Sequence, residues 1–162
     1  MKKGIITLGA SAAGLLVGAV FGAGVAGNAV NEKAVKQKEN SDKYFALYML
    51  MNQWVKVKQT GKSVSAFLAE KGYRKVAIYG MAYVGETLYS ELRNSEITVS
   101  YAIDRNADTI YSEIDVMSPD DTLEKVDAII VTSIYYFDEI KEALKDKVTA
   151  DIISLEDIIF EL

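Results

Sequence analysis

Residues 76–85 constrain this chain most. Val76-Ala77-Ile78-Tyr79 is a short β-rich run, it stops at Gly80, and a helical pattern of Val84, Leu88 and Leu92 follows at once. A strand that turns on a glycine straight into a helix starts a βαβ unit, and repeated βαβ units build a parallel sheet. The alternation continues downstream. Ile97–Ile103 reads as the next strand, with Ile97, Val99, Tyr101 and Ile103 on one face, ending at Asp104. Ile114–Val116 is a candidate extra strand. Ser118-Pro119-Asp120-Asp121 has the form of a helix start, with an N-cap, proline at the first helical position and acids in the first turn. Ala128-Ile129-Ile130-Val131 is a continuous apolar run, as expected of a strand buried on both faces. Phe137–Leu144 reads as a helix, Asp151–Ile153 as a last short strand, and Ser154 as the cap of a terminal helix. The expected fold class is α/β: a small Rossmann-like parallel sheet flanked by helices, closer to one half of a dinucleotide fold than to the whole.

The N-terminal part reads differently. From Gly4 to Val30 there is no charged side chain. As a helix rising about 1.5 Å per residue, that run spans roughly 40 Å, against about 30 Å for a bilayer core. Residues 1–30 are therefore expected to be a transmembrane anchor. A secretory signal peptide is the rival, with Lys2 and Lys3 as its basic end and Gly27-Asn28-Ala29 as a cleavage site. Small residues recur every fourth position at Ala10, Gly14, Gly18, Gly22 and Ala26. Such stripes let helix backbones approach closely in lipid, so a homodimer through Gly14, Gly18 and Gly22 is expected. Lys33, Lys36, Lys38 and Lys43 follow the run, which leans toward a single-pass protein with its C-terminal domain in the cytoplasm.

Residues 31–62 are expected to be a juxtamembrane helical stalk and residues 63–162 the α/β domain. Within the stalk, 31–40 reads as a connector or helix extension. Tyr44, Tyr48, Met51 and Val55 then share a helical face, with Ser41 as N-cap and Gly61 just past the end. Ser63 caps a short helix that ends before Gly72.

Charge and composition narrow the function. The chain contains neither Cys nor His. That removes disulfides, thiolate nucleophiles, zinc sites of the usual kind and the commonest general base. Residues 60–162 carry ten Lys and Arg against twenty Asp and Glu. A nucleic-acid partner is not expected, because phosphate backbones need a basic surface. No metal site is signalled.

The informative segment is Gly80-Met81-Ala82-Tyr83-Val84-Gly85. Gly80 permits a tight turn and Gly85 permits close packing of helix on strand. Ala82 occupies the middle position, where backbone would meet a pyrophosphate. Asp104 closes the second strand, where an acid accepts hydrogen bonds from ribose hydroxyls. Gly80, Ala82, Gly85 and Asp104 are thus the candidate binding residues for a nucleotide-type small molecule, with NAD(P) or a nucleotide sugar both open. No catalytic residue is assigned. The reductase Tyr-x-x-x-Lys pair is missing, since Tyr136 is followed by Ile140 and Lys141 comes one position late. Tyr135, Tyr136 and Asp138 follow the third main strand and are expected near the mouth of the site.

The stretch VAIYGMAYVGETLYSELRNSEITVSYAIDRNAD, followed by VDAIIVT, resembles the Rossmann-like nucleotide-binding domain of bacterial surface-polysaccharide proteins of the nucleotide-sugar dehydratase and acetyltransferase type. The resemblance covers roughly residues 74–145. In those relatives the middle loop position is usually Gly or a small residue, so Ala82 is a mild departure. The resemblance implies nucleotide or nucleotide-sugar binding at Gly80, Gly85 and Asp104. It does not imply the relatives' catalysis, whose segments lie in other domains. The expected function is a membrane-tethered, non-catalytic binding module supporting envelope polysaccharide synthesis. The alternatives are a small NAD(P)-dependent oxidoreductase or sugar-modifying enzyme, and an interaction scaffold that has lost its ligand.

Overall fold

The computed structural model describes the backbone of residues 11–162 and the side chains from residue 31 onward. The anchor expected over 1–30 and the stripe at Gly14, Gly18 and Gly22 rest on side chains that lie outside the described residues. Among the described residues, no helix is long and apolar enough to cross a membrane.

The chain divides into two compact units between Phe45 and Ala46. Helix α1, Ser11–Gln59, is continuous. In the first unit Val35, Tyr44 and Phe45 are exposed, and Lys43 pairs with Glu39 one turn earlier at 2.8 Å. Ser41 caps nothing: it lies inside α1. No Gly or Pro occurs between Asn31 and Thr60, and Glu, Lys, Gln and Ala dominate 31–40, so nothing in the segment breaks the helix.

The second unit is the α/β body. From Ala46 onward α1 turns Leu50, Trp54 and Val57 into the core. The helix stops where the N–H of Gly61 bonds the Lys58 carbonyl and that of Lys62 bonds the Val57 carbonyl. Helix α2, Val64–Glu70, follows, and the Ser63 side chain accepts the Ala66 N–H. Five parallel strands then form one sheet in the order β3-β2-β1-β4-β5: β1 Lys75–Tyr79, β2 Thr98–Ile103, β3 Val116–Met117, β4 Ala128–Val131 and β5 Asp151–Ser154. Helices α3, Tyr83–Leu92, α4, Phe137–Leu144, and α5, Leu155–Glu161, complete it.

Both faces of the two central strands are buried. Val76 and Ile78 of β1, with Ala128 and Ile130 of β4, meet residues of α1, α2, α3 and α5. Ala77, Tyr79, Ile129 and Val131 point the other way, toward Ile140 and Leu144 of α4.

Two local expectations are corrected. Ile97, Val99, Tyr101 and Ile103 do not share a face. The register of β1 against β2 runs Val76↔Val99, then Ala77↔Tyr101, so Ser100 is an extra residue. A one-residue slip flips every side chain beyond it. Ile97 and Val99 pack with the α3 side, whereas Tyr101 and Ile103 pack with α4. The second correction concerns Ser118-Pro119-Asp120-Asp121, which opens no helix. Asp121 Oδ2 accepts the Ser118 N–H, the Asp121 N–H bonds the Ser118 carbonyl, and the Ser118 hydroxyl accepts the Asp120 N–H. The capping groups close a turn on themselves. The chain then runs to β4 without regular structure, with Leu123 and Val126 packed on the α4 side.

Candidate functional site

Parallel register brings the carboxyl ends of the strands to one edge: Tyr79 is level with both Ile103 and Val131. The loops leaving β1, β2 and β4 therefore converge. In open α/β sheets, ligands bind outside these strand ends, where the direction of winding reverses. Here the reversal lies between β1 and β4.

The glycine loop is tightly built. Gly80 has φ +95°, and a Cβ there would lie 2.6 Å from Ser133 Oγ and 2.7 Å from Thr132 Oγ1. Its N–H bonds the Ile103 carbonyl at 2.8 Å. Its carbonyl accepts from the buried Thr132 hydroxyl at 2.6 Å. A Cβ at Gly85 would fall 2.1 Å from that same Gly80 carbonyl oxygen. Both glycines are thus required by the packing of strand, loop and helix alone. Ala82 is the N-cap of α3, in extended conformation, with no side-chain cap for the helix's first N–H groups.

Asp104 ties two loops together. Its Oδ2 accepts the Met81 N–H of the glycine loop at 3.0 Å, and its Oδ1 accepts the Asn106 N–H at 2.9 Å. The carboxylate therefore has a structural task that sequence reasoning did not assign to it. A carboxylate offers about four lone-pair sites. Two backbone bonds hold it in orientation and leave acceptor capacity on each oxygen.

A cavity of about 230 Å³ opens at this edge, lined by Tyr79, Gly80, Asp104, Arg105, Asn106, Ser133, Tyr136 and Ile140. Two of the four expected binding residues, Gly80 and Asp104, line it; Ala82 and Gly85 do not. Tyr136 lines it as expected. Tyr135 stacks edge-on against Tyr136 with ring centroids 5.4 Å apart, and the exposed Asp138 is not part of the wall. Sequence reasoning missed Arg105, Asn106, Ser133 and Ile140. The first three sit one or two residues beyond Asp104 and Val131, where strand ends deliver loop residues to a common edge.

A larger groove of about 620 Å³ lies along the α/β unit's part of α1 and α3, lined by Met51, Trp54, Val55, Lys58, Gln59, Thr87, Ser90 and Glu91. Its one carboxylate is already engaged. Glu91 accepts from Trp54 Nε1 at 2.9 Å and from the Val64 N–H at 2.8 Å, and it pairs with Lys58 at 3.1 Å. Small-molecule sites need a few convergent polar groups with unspent capacity, and the cavity at the strand ends has more of these. The aromatic and Met residues of the expected stalk divide. Trp54 is buried and Met51 half-buried, whereas Tyr44 and Tyr48 are exposed. Among the described residues, no group of three or more acidic side chains is placed to hold a metal ion.

No curated protein and no solved structure matches the chain. Residues 72–153, about half of the chain and nearly all of the sheet, match the family described as C2185-like, N-terminal, and the chain belongs to that family.

Proposed function

We propose that the α/β unit is a binding module for a nucleotide-type small molecule, a nucleotide or nucleotide sugar, held at a membrane by residues 1–30. The observation that carries the binding reading is the cavity at the winding reversal of the sheet, with Asp104 held by two backbone N–H groups on its wall. That combines the location where open α/β sheets take ligands with an acceptor suited to sugar hydroxyls. The uncharged run from Gly4 to Val30 supports the anchor, and the lysines that follow it support a cytoplasmic domain. The small-residue stripe supports pairing of two anchors. The setting in envelope polysaccharide synthesis rests on the resemblance of residues 74–145.

Calorimetry of the full chain with UDP, UDP-glucose, NAD and CoA tests the binding reading. Saturable heat with at least one of the four is the expected result, and its absence with all four would sink it. Alkaline carbonate extraction tests the anchor: the intact chain should stay with the membrane pellet.

A further inference from the structure

A nucleotide-type reading leaves open which part of the ligand the cavity grips. Size is the first guide. At about 230 Å³ the cavity is smaller than the roughly 300–1,000 Å³ usual for sites that enclose a drug-sized ligand. It encloses about a sugar ring with one substituent, and the rest of a larger ligand would extend beyond its open mouth.

Charge is the second guide. The chain has three arginines. Arg74 lies 3.8 Å from Glu96 and donates to two backbone carbonyls, and Arg93 reaches Glu113 at 3.2 Å. Arg105 lines the cavity, and among the described residues its guanidinium has neither an ion pair nor a hydrogen bond. It stays unpaired in a stretch where acids outnumber bases twenty to ten. A guanidinium presents five donors in a planar fork that matches a phosphate. On the same wall, Asp104 has its remaining lone pairs available to a hydroxyl.

We infer that the cavity takes a sugar ring bearing a phosphate on the carbon beside a free hydroxyl. Asp104 accepts from the hydroxyl and Arg105 pairs the phosphate. This rests on the small-molecule reading of the same cavity. Two sources carry that chemistry: a nucleotide with a 2′-phosphate beside its 3′-hydroxyl, and a hexose 1-phosphate beside its 2-hydroxyl.

Calorimetry on the full chain with two matched pairs separates them: adenosine 2′,5′-bisphosphate against AMP, and glucose 1-phosphate against glucose. The member bearing the additional phosphate in one pair should bind about ten- to a hundredfold more tightly, as one charge-assisted contact implies. Arg105→Gln should abolish that preference and leave the unfolding curve unchanged, because the exposed side chain has no described partner to lose. A preference in the adenosine pair assigns the nucleotide source. A preference in the glucose pair, with neither adenosine compound bound, keeps the inference, assigns the hexose source and confines the nucleotide-type reading to nucleotide sugars. Binding without preference within either pair, or a preference that survives Arg105→Gln, overturns the inference and leaves the nucleotide reading standing. No binding by any of the four overturns the inference, and the nucleotide reading falls with it only if UDP, UDP-glucose, NAD and CoA also fail to bind.

Discussion

The carbonyl oxygen of Gly80 lies 2.1 Å from the point a Cβ on Gly85 would occupy, so helix α3 can start where it does only because residue 85 has no side chain. Gly85→Ala must push the helix off the loop or rotate the Gly80 peptide, and that carbonyl is held by Thr132. The expected cost is about 1–3 kcal/mol or more, as for other overpacked sites. Urea unfolding of the variant against the parent checks it. An unchanged midpoint would show that the loop yields freely.

Glu91 joins three elements through Trp54 of α1, the N–H of Val64 at the start of α2, and its own helix α3. Glu91→Ala leaves an indole N–H and a backbone N–H without their acceptor at a partly buried site. A loss of about 1–3 kcal/mol is expected. The chain has one tryptophan, so its fluorescence reports this junction directly. The emission should shift to the red in the variant as Trp54 gains access to water.

Tyr73 donates to Asp151 Oδ2 at 2.7 Å. That hydrogen bond, then burial, then the Asp151 charge push the Tyr73 phenol up to about 12 from an ordinary 10.0. The raised folded value favours the neutral phenol. Its contribution to stability is therefore complete below about pH 10 and is lost as pH rises through about 12. Tyr101 is shifted in the same direction by burial and the Glu124 charge, so the loss is shared. Tyr73→Phe should flatten part of the alkaline fall in stability, measured as urea midpoints from pH 9 upward, and should remove one late-titrating tyrosinate from the absorbance titration. A fall identical in both proteins would place it elsewhere.

Asp104 bridges the glycine loop and the loop after β2. Asp104→Ala strips the Met81 and Asn106 N–H groups of their acceptor and should destabilise the protein by about 1–3 kcal/mol even without ligand. Asp104→Asn keeps one acceptor oxygen and should fall between parent and alanine variant. For any probe that binds the parent, affinity should follow the same order. An alanine variant that unfolds like the parent would remove the bridging role.

Much of the body is readable along the chain because local chemistry and tertiary need agree there. Ala128–Val131 has no polar residue, which suits a strand covered on both faces, and it is one. Phe137–Leu144 and the Ser154-capped terminal helix follow from periodicity and caps, and occur at those positions. Gly80 and Gly85 mark the strand–loop–helix junction correctly, because only glycine has the conformation or the clearance required.

Other features depend on which segments become neighbours. The extra residue at Ser100 exists only in the register against β1, and nothing in Ile97–Ile103 itself announces it. Residues 118–121 carry every local mark of a helix start, yet their side chains satisfy one another in a turn. Burial of Trp54 needs Glu91, and those residues are 37 positions apart. The cavity is assembled from three loops, so Arg105 and Ser133 join its wall only after parallel pairing has aligned β1, β2 and β4. Periodicity and caps act within a few residues and are legible in the chain. Register, convergence and pairing across the sheet are set by packing between distant segments, and only the tertiary structure decides them.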